Sequence, residues 1–81
     1  MVVAMKLEQA LALIREIPDF PVPGIRFQDI TPLLSNGAAF SAVTKSLACI
    51  DVEATLIAGI EARGFILASA LANERSAGFI P

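Results

Sequence analysis

The chain has 81 residues, a net charge of −2, no histidine and a single cysteine, and 56% of it is hydrophobic. That acidic balance argues against nucleic-acid binding, which uses clustered basic surface. Cys49 alone excludes an internal disulfide, and without His or a Cys cluster a transition-metal site is not expected. A domain of this size buries only about 60% of its unfolded surface, so a mean hydropathy of +0.71 predicts either a large apolar dimer contact or further elements of the same domain.

No apolar run approaches the ~18 residues of a membrane span. The run after Lys6 is broken by Glu8 and Gln9 and closed by Arg15 and Glu16, unlike a secretory leader. The expectation is a cytoplasmic protein with no membrane partner.

In chain order, Leu7, Ala10, Leu11, Ile14 and Ile17 share one helical stripe, which predicts an amphipathic helix from about Met5 to Ile17, ended by Pro18. Pro18, Pro21 and Pro23 with Gly24 then predict a stiff, extended connector, whose plain reading is a linker. Ile25-Arg26-Phe27-Gln28 alternates as a half-exposed strand, broken before Pro32. Such a strand sets main-chain donors and acceptors beside an aromatic ring, which suits the edge and face of a flat heterocycle. The competing reading is an ordinary edge strand with Phe27 in the core.

Ser35-Asn36-Gly37 offers N-caps for a helix over about Ala38 to Ala48. Phe40, Val43, Leu47 and Ile50 form its inward stripe, Lys45 and Ser46 its solvated side, and Cys49 is expected to be a small buried hydrophobe. Thr55 to Ile60 is a short apolar run that predicts a strand buried on both faces. Glu61-Ala62-Arg63-Gly64 interrupts it, and Phe65 to Ala72 has helical spacing, with Gly78 as the expected C-cap or turn. Strand, tight loop and helix make the front of a βαβ unit. Its loop lies where backbone N–H groups and the positive end of a helix dipole meet an anion. Arg63 is the cation in that loop; its competing reading is a surface ion pair with Glu61 or Glu74. Phe79-Ile80 starts a second parallel strand just before Pro81, where strands usually run about five or six residues. The sheet is expected to be cut there, and the chain to be a fragment truncated after Pro81.

Two stretches carry a family resemblance. Ile17-Pro18-Asp19-Phe20-Pro21-Val22-Pro23-Gly24-Ile25-Arg26-Phe27-Gln28-Asp29-Ile30-Thr31-Pro32-Leu33-Leu34 resembles the N-terminal signature of adenine phosphoribosyltransferases, and Ala58-Gly59-Ile60-Glu61-Ala62-Arg63-Gly64-Phe65 resembles their pyrophosphate-binding loop. The likeness runs from about Leu7 to Pro81, roughly the first half of such an enzyme of the type I phosphoribosyltransferase family. It implies an α/β fold, here a partial parallel sheet with flanking helices, in one domain. Residues 1–34 would supply a helix and a base-binding hood segment, and residues 35–81 the start of the α/β core.

The resemblance also implies the reaction of adenine with 5-phosphoribosyl 1-pyrophosphate to give AMP and pyrophosphate, with Mg2+ bound through the substrate phosphates and a homodimeric enzyme. Arg26, Phe27 and Gln28 match the adenine-binding positions, Phe27 as the ring that packs on the base. Glu61, Ala62, Arg63 and Gly64 match the pyrophosphate loop, with a non-proline cis peptide at Glu61–Ala62. The family's catalytic loop and its phosphoribosyl-binding motif have no counterpart here, so no catalytic residue is assigned and the chain alone is expected to be inactive. Two other readings stay open: a purine or phosphoribosyl-pyrophosphate binding protein of the same fold without turnover, and an apolar fragment that only self-associates.

Overall fold

A computed structural model describes residues 4–81 of the protein. Two compact units divide it, one reaching Val43 and the other running from Thr44 to Pro81. Among the described residues no helix is long and apolar enough to cross a membrane.

The first unit begins with α1, Leu7–Leu11, whose opening is tied by the Lys6 N–H donating to Gln9 Oε1 at 2.9 Å. The long helix expected to reach Ile17 does not form. After α1 a last tight turn, with Ile14 N–H donating to Leu11 O at 3.1 Å, hands over to strand β1, Arg15–Pro18. β1 pairs antiparallel with β2, Arg26–Asp29, in the register Arg15↔Asp29, Glu16↔Gln28, Ile17↔Phe27 and Pro18↔Arg26. The helical stripe loses because the ladder gives β-branched Ile17 an aromatic partner across the strand, a pairing no isolated helix turn offers.

The proline-rich connector is likewise no extended spacer. It reverses the chain between β1 and β2, with Asp19 at φ 54°, Gly24 at φ 90° and a cis Phe20–Pro21 bond. Asp19 Oδ1 accepts the Gly24 N–H at 2.9 Å, and Phe20 N–H donates to Ile25 O at 3.1 Å. An aspartate that bonds back to nearby backbone tolerates the left-handed region better than most residues.

After β2 comes a single helical turn, α2, Thr31–Leu34, at the place expected to be a plain break; Pro32 is harmless in a first turn, where its missing N–H has no partner to lose. Helix α3, Gly37–Ala48, starts where the capping residues predicted, with Asn36 Oδ1 accepting the Ala39 N–H at 3.0 Å. Ala10, Leu33 and Ala39 form the buried centre of this unit, flanked by Met5, Leu13, Ile14, Leu34, Ala42 and Val43.

In the second unit β3, Leu56–Ala58, leads into α4, Arg63–Arg75, and then β4, Gly78–Ile80. β3 and β4 pair in parallel, Leu56↔Gly78, Ile57↔Phe79 and Ala58↔Ile80, so the βαβ unit is present. α4 packs on both strands through buried Ala68 and Ala72, and Phe65 meets Phe79 edge-on with centroids 6.2 Å apart. Arg75, in the last turn of α4, donates to the carbonyls of Asp51 and Val52, which fastens the approach to β3.

Several expectations fail in this unit. β3 is not buried on both faces: Leu56 is 62% exposed, and just beyond the strand Ile60 is 86% exposed. Two strands and one helix cover one face of a sheet and leave the other open. Ile50 and Cys49, expected inside, are exposed, because α3 ends at Ala48 and both fall in the turn beyond it. α4 also runs past its expected end and stops at Ser76, which takes the left-handed cap conformation at φ 56°. Gly78 instead opens β4, where a Cβ would lie 2.8 Å from Leu56 Cδ2.

Candidate active site

Arg26, Phe27 and Gln28 all lie on β2, the second strand of a two-stranded sheet. Side chains alternate across a strand, so Phe27 and Asp29 share one face while Arg26 and Gln28 share the other. Phe27 is half-buried. It sits opposite Ile17 and takes the edge of Phe20 at a centroid distance of 5.2 Å and an interplanar angle of 67°. Phe20 thus becomes a second aromatic of this face, put there by the reversing loop; sequence reading placed it in a linker. On the opposite face exposed Arg26 lies 3.5 Å from Glu16 as a diagonal cross-strand pair, which in water contributes little.

Asp29 was not singled out in the sequence, and its carboxylate accepts four hydrogen bonds. Its Oδ1 accepts the Thr31 N–H at 3.0 Å and the Thr31 hydroxyl at 2.6 Å. Its Oδ2 accepts from Arg15 Nε at 3.1 Å and from Arg15 Nη2. The two Thr31 bonds, then the Arg15 guanidinium, hold the carboxyl down to about 2 from the usual 3.8 against a smaller opposing effect of burial. The Asp-x-Thr spacing of an Asx turn was the available signal; its partner on β1 was hidden by the helical reading of Arg15.

In the second unit Glu61 and Ala62 lie between β3 and α4, Arg63 and Gly64 open α4, and the Glu61–Ala62 peptide is cis. Ala62 is the N-cap and Arg63 the first residue of the 13-residue α4, with no acid in its first turn. Helix-start N–H groups have no carbonyl one turn back inside the helix, and the exposed Arg63 guanidinium adds a full charge to the positive dipole end. Glu61 is exposed too.

The turn is held close by two glycines. A Cβ on Gly59 would lie 2.5 Å from Gly64 O and 2.8 Å from Ala68 Cβ, so that position admits hydrogen only. Gly64 has ordinary room, its nearest such contact being 3.6 Å away. Beside the turn lies an apolar hollow bounded by Ile57, Ile60, Leu67 and Leu71, which has no chemistry for an anion. Among the described residues no three of His, Cys, Asp and Glu stand together as a metal site.

No protein-family model matches the chain. Its backbone is similar to solved phosphoribosyltransferase structures, and the fold is accordingly a partial α/β phosphoribosyltransferase fold. The relatives are more particular than the fold. The chain is 50% identical over 76 residues to the adenine phosphoribosyltransferase of Streptomyces clavuligerus, a match covering 91% of this chain and 43% of that protein. It is 46% identical to the Giardia lamblia enzyme crystallised with 9-deazaadenine, with a TM-score of 0.86 over 94% of this chain and 43% of that one. The Saccharomyces cerevisiae enzyme, crystallised with an imino-altritol bisphosphate and adenine, is 28% identical with a TM-score of 0.83, over 93% of this chain and 48% of that one. By sequence and by backbone, this chain is related to the adenine phosphoribosyltransferases. It spans less than half the length of the curated relatives it matches.

Proposed function

We propose that the full protein carrying this chain transfers the phosphoribosyl group of 5-phosphoribosyl 1-pyrophosphate to adenine, giving AMP and pyrophosphate in purine salvage. The observation that carries this reading is the likeness of 94% of the chain to part of a Giardia lamblia enzyme crystallised with 9-deazaadenine. In this reading Phe27 packs on the face of the base, and the main chain of Arg26 and Gln28 meets its polar edge. The loop from Glu61 to Gly64 grips the pyrophosphate.

The residue types suit that chemistry. As pyrophosphate departs from the anomeric carbon, negative charge grows on its oxygens. A guanidinium and aligned N–H groups at a helix start stabilise such charge, and the planar fork of Arg63 meets two oxygens at once. The Glu61 carboxylate would repel the leaving group, so its backbone is the contributing part. Magnesium belongs to the reading as a companion of the substrate phosphates, since that ion prefers phosphate oxygens and water to an all-protein cage. A homodimeric, cytoplasmic enzyme is part of the same reading. So is the inactivity of these 81 residues alone, which span 43% of the Streptomyces relative.

The test is AMP formation by the full protein. One charge-assisted hydrogen bond contributes about 1.5–3 kcal/mol, so Arg63→Ala lowers kcat/KM for phosphoribosyl pyrophosphate by roughly one to two orders of magnitude. Lys45→Ala, on the exposed side of α3, stays within about twofold. Equal losses in the two variants remove the assignment of Arg63. Adenine or phosphoribosyl-pyrophosphate binding without turnover favours the non-catalytic binding protein instead.

A further inference from the structure

This inference rests on the adenine reading of β2. The face on which the Phe27 ring stands depends on strand register, because a one-residue slip moves every side chain of a strand to the opposite face. The β1–β2 ladder has only four pairs and few apolar residues to specify its register. At the loop end it is closed by the Asp19–Gly24 bond. At the open end one carboxylate does the closing. Arg15 and Asp29 are direct cross-strand partners, and a shift of one residue in either direction would set Arg15 opposite Gln28 or Ile30.

Asp29 also reaches forward to both polar groups of Thr31 at 3.0 and 2.6 Å, so β1, β2 and the first turn of α2 meet at a single side chain. That side chain is 12% exposed, against 63% for Arg15. An apolar pair would hold two strands together more cheaply, since burying a carboxylate costs desolvation. Only the carboxylate of this pair is withdrawn from solvent, and fixing register is the best-attested use of a polar group placed at such a cost.

We propose that Asp29 is a positioning residue for the base: clamped by Arg15 and Thr31, it locks the register of β2 and thereby the face and height at which Phe27 meets adenine. Its effect is confined to the base. The pyrophosphate loop lies in the other unit of the chain.

Calorimetric titration of the full protein with adenine and, separately, with phosphoribosyl pyrophosphate tests this. Asp29→Ala weakens adenine binding tenfold or more and leaves phosphoribosyl-pyrophosphate affinity within twofold. Asp29→Asn, which keeps one acceptor for Thr31 but turns an NH2 donor toward the Arg15 guanidinium, recovers only part of the loss, and Thr31→Val shows a smaller loss in the same direction. If Asp29→Ala does not fold, Thr31→Val and Arg15→Met carry the comparison. A parallel fall in both affinities, or unchanged adenine affinity in every folded variant, overturns the inference while the adenine reading stands. A wild-type protein that binds phosphoribosyl pyrophosphate and no adenine overturns both.

Discussion

The two glycines of the β3–α4 turn respond to the same substitution with opposite signs. At Gly59 a methyl group would sit 2.5 Å from Gly64 O, 2.9 Å from Gly64 C and 2.8 Å from Ala68 Cβ. Two of those atoms are backbone of α4 and the third is a buried helix side chain with no rotamer to change, so the helix must move away from β3. Forced overpacking of this kind costs about 1–3 kcal/mol. At Gly64 the nearest atom to a new methyl is 3.6 Å away, an ordinary contact, and the residue is second in α4, where alanine gains up to about 1 kcal/mol of helix propensity over glycine. Urea unfolding of the full protein should therefore show Gly59→Ala losing stability by about 1–3 kcal/mol and Gly64→Ala losing none. The substrate response runs the other way. If phosphate oxygens approach the Gly64 backbone, its methyl group intrudes only when ligand is bound, and Gly64→Ala raises KM for phosphoribosyl pyrophosphate in a stable protein. A neutral Gly59→Ala, or equal destabilisation by both variants, would refute the packing argument.

Two further measurements probe the first unit. The folded-state pKa of Asp29 is lowered from 3.8 to about 2, so the unfolded chain takes up the proton first as pH falls; this residue's contribution to stability is complete above about pH 4 and disappears by about pH 2. Asp29→Asn should flatten that part of the acid-unfolding curve, and an unchanged acid limb would show that the carboxylate contributes nothing in solution. Asn36→Ala removes the side-chain acceptor of the Ala39 N–H and should lower stability by about 0.5–2 kcal/mol, with Asn36→Asp near wild type; equal loss in both would place the effect elsewhere than in the cap.

Asn36 also illustrates what a linear reading reaches. Its cap, the helix after it and the strand–loop–helix around Arg63 depend on residues within one or two turns of each other, where spacing carries the information. β1 is the opposite case. Leu7 to Ile17 has a sound helical stripe, and only Phe27, ten residues past Ile17 and across a reversing loop, explains why Ile17 is extended. The same missing partner concealed Phe20 beside Phe27 and Arg15 beside Asp29. Ile50 continued the spacing of Phe40, Val43 and Leu47 past a helix that had already ended at Ala48, and Cys49, expected to be buried near that end, lies in the same exposed turn.

By itself, then, the order of residues determined the elements whose partners are local: the capped α3, the succession of β3 into α4, and the loop that sets Arg63 at a helix start. The tertiary structure alone decided the hairpin, the clamp at Asp29 and the closeness of Gly59 to Gly64. Periodicity reports which way a side chain faces within its own element, whereas a cross-strand pair or a steric limit at a glycine exists only once two distant segments share the same space.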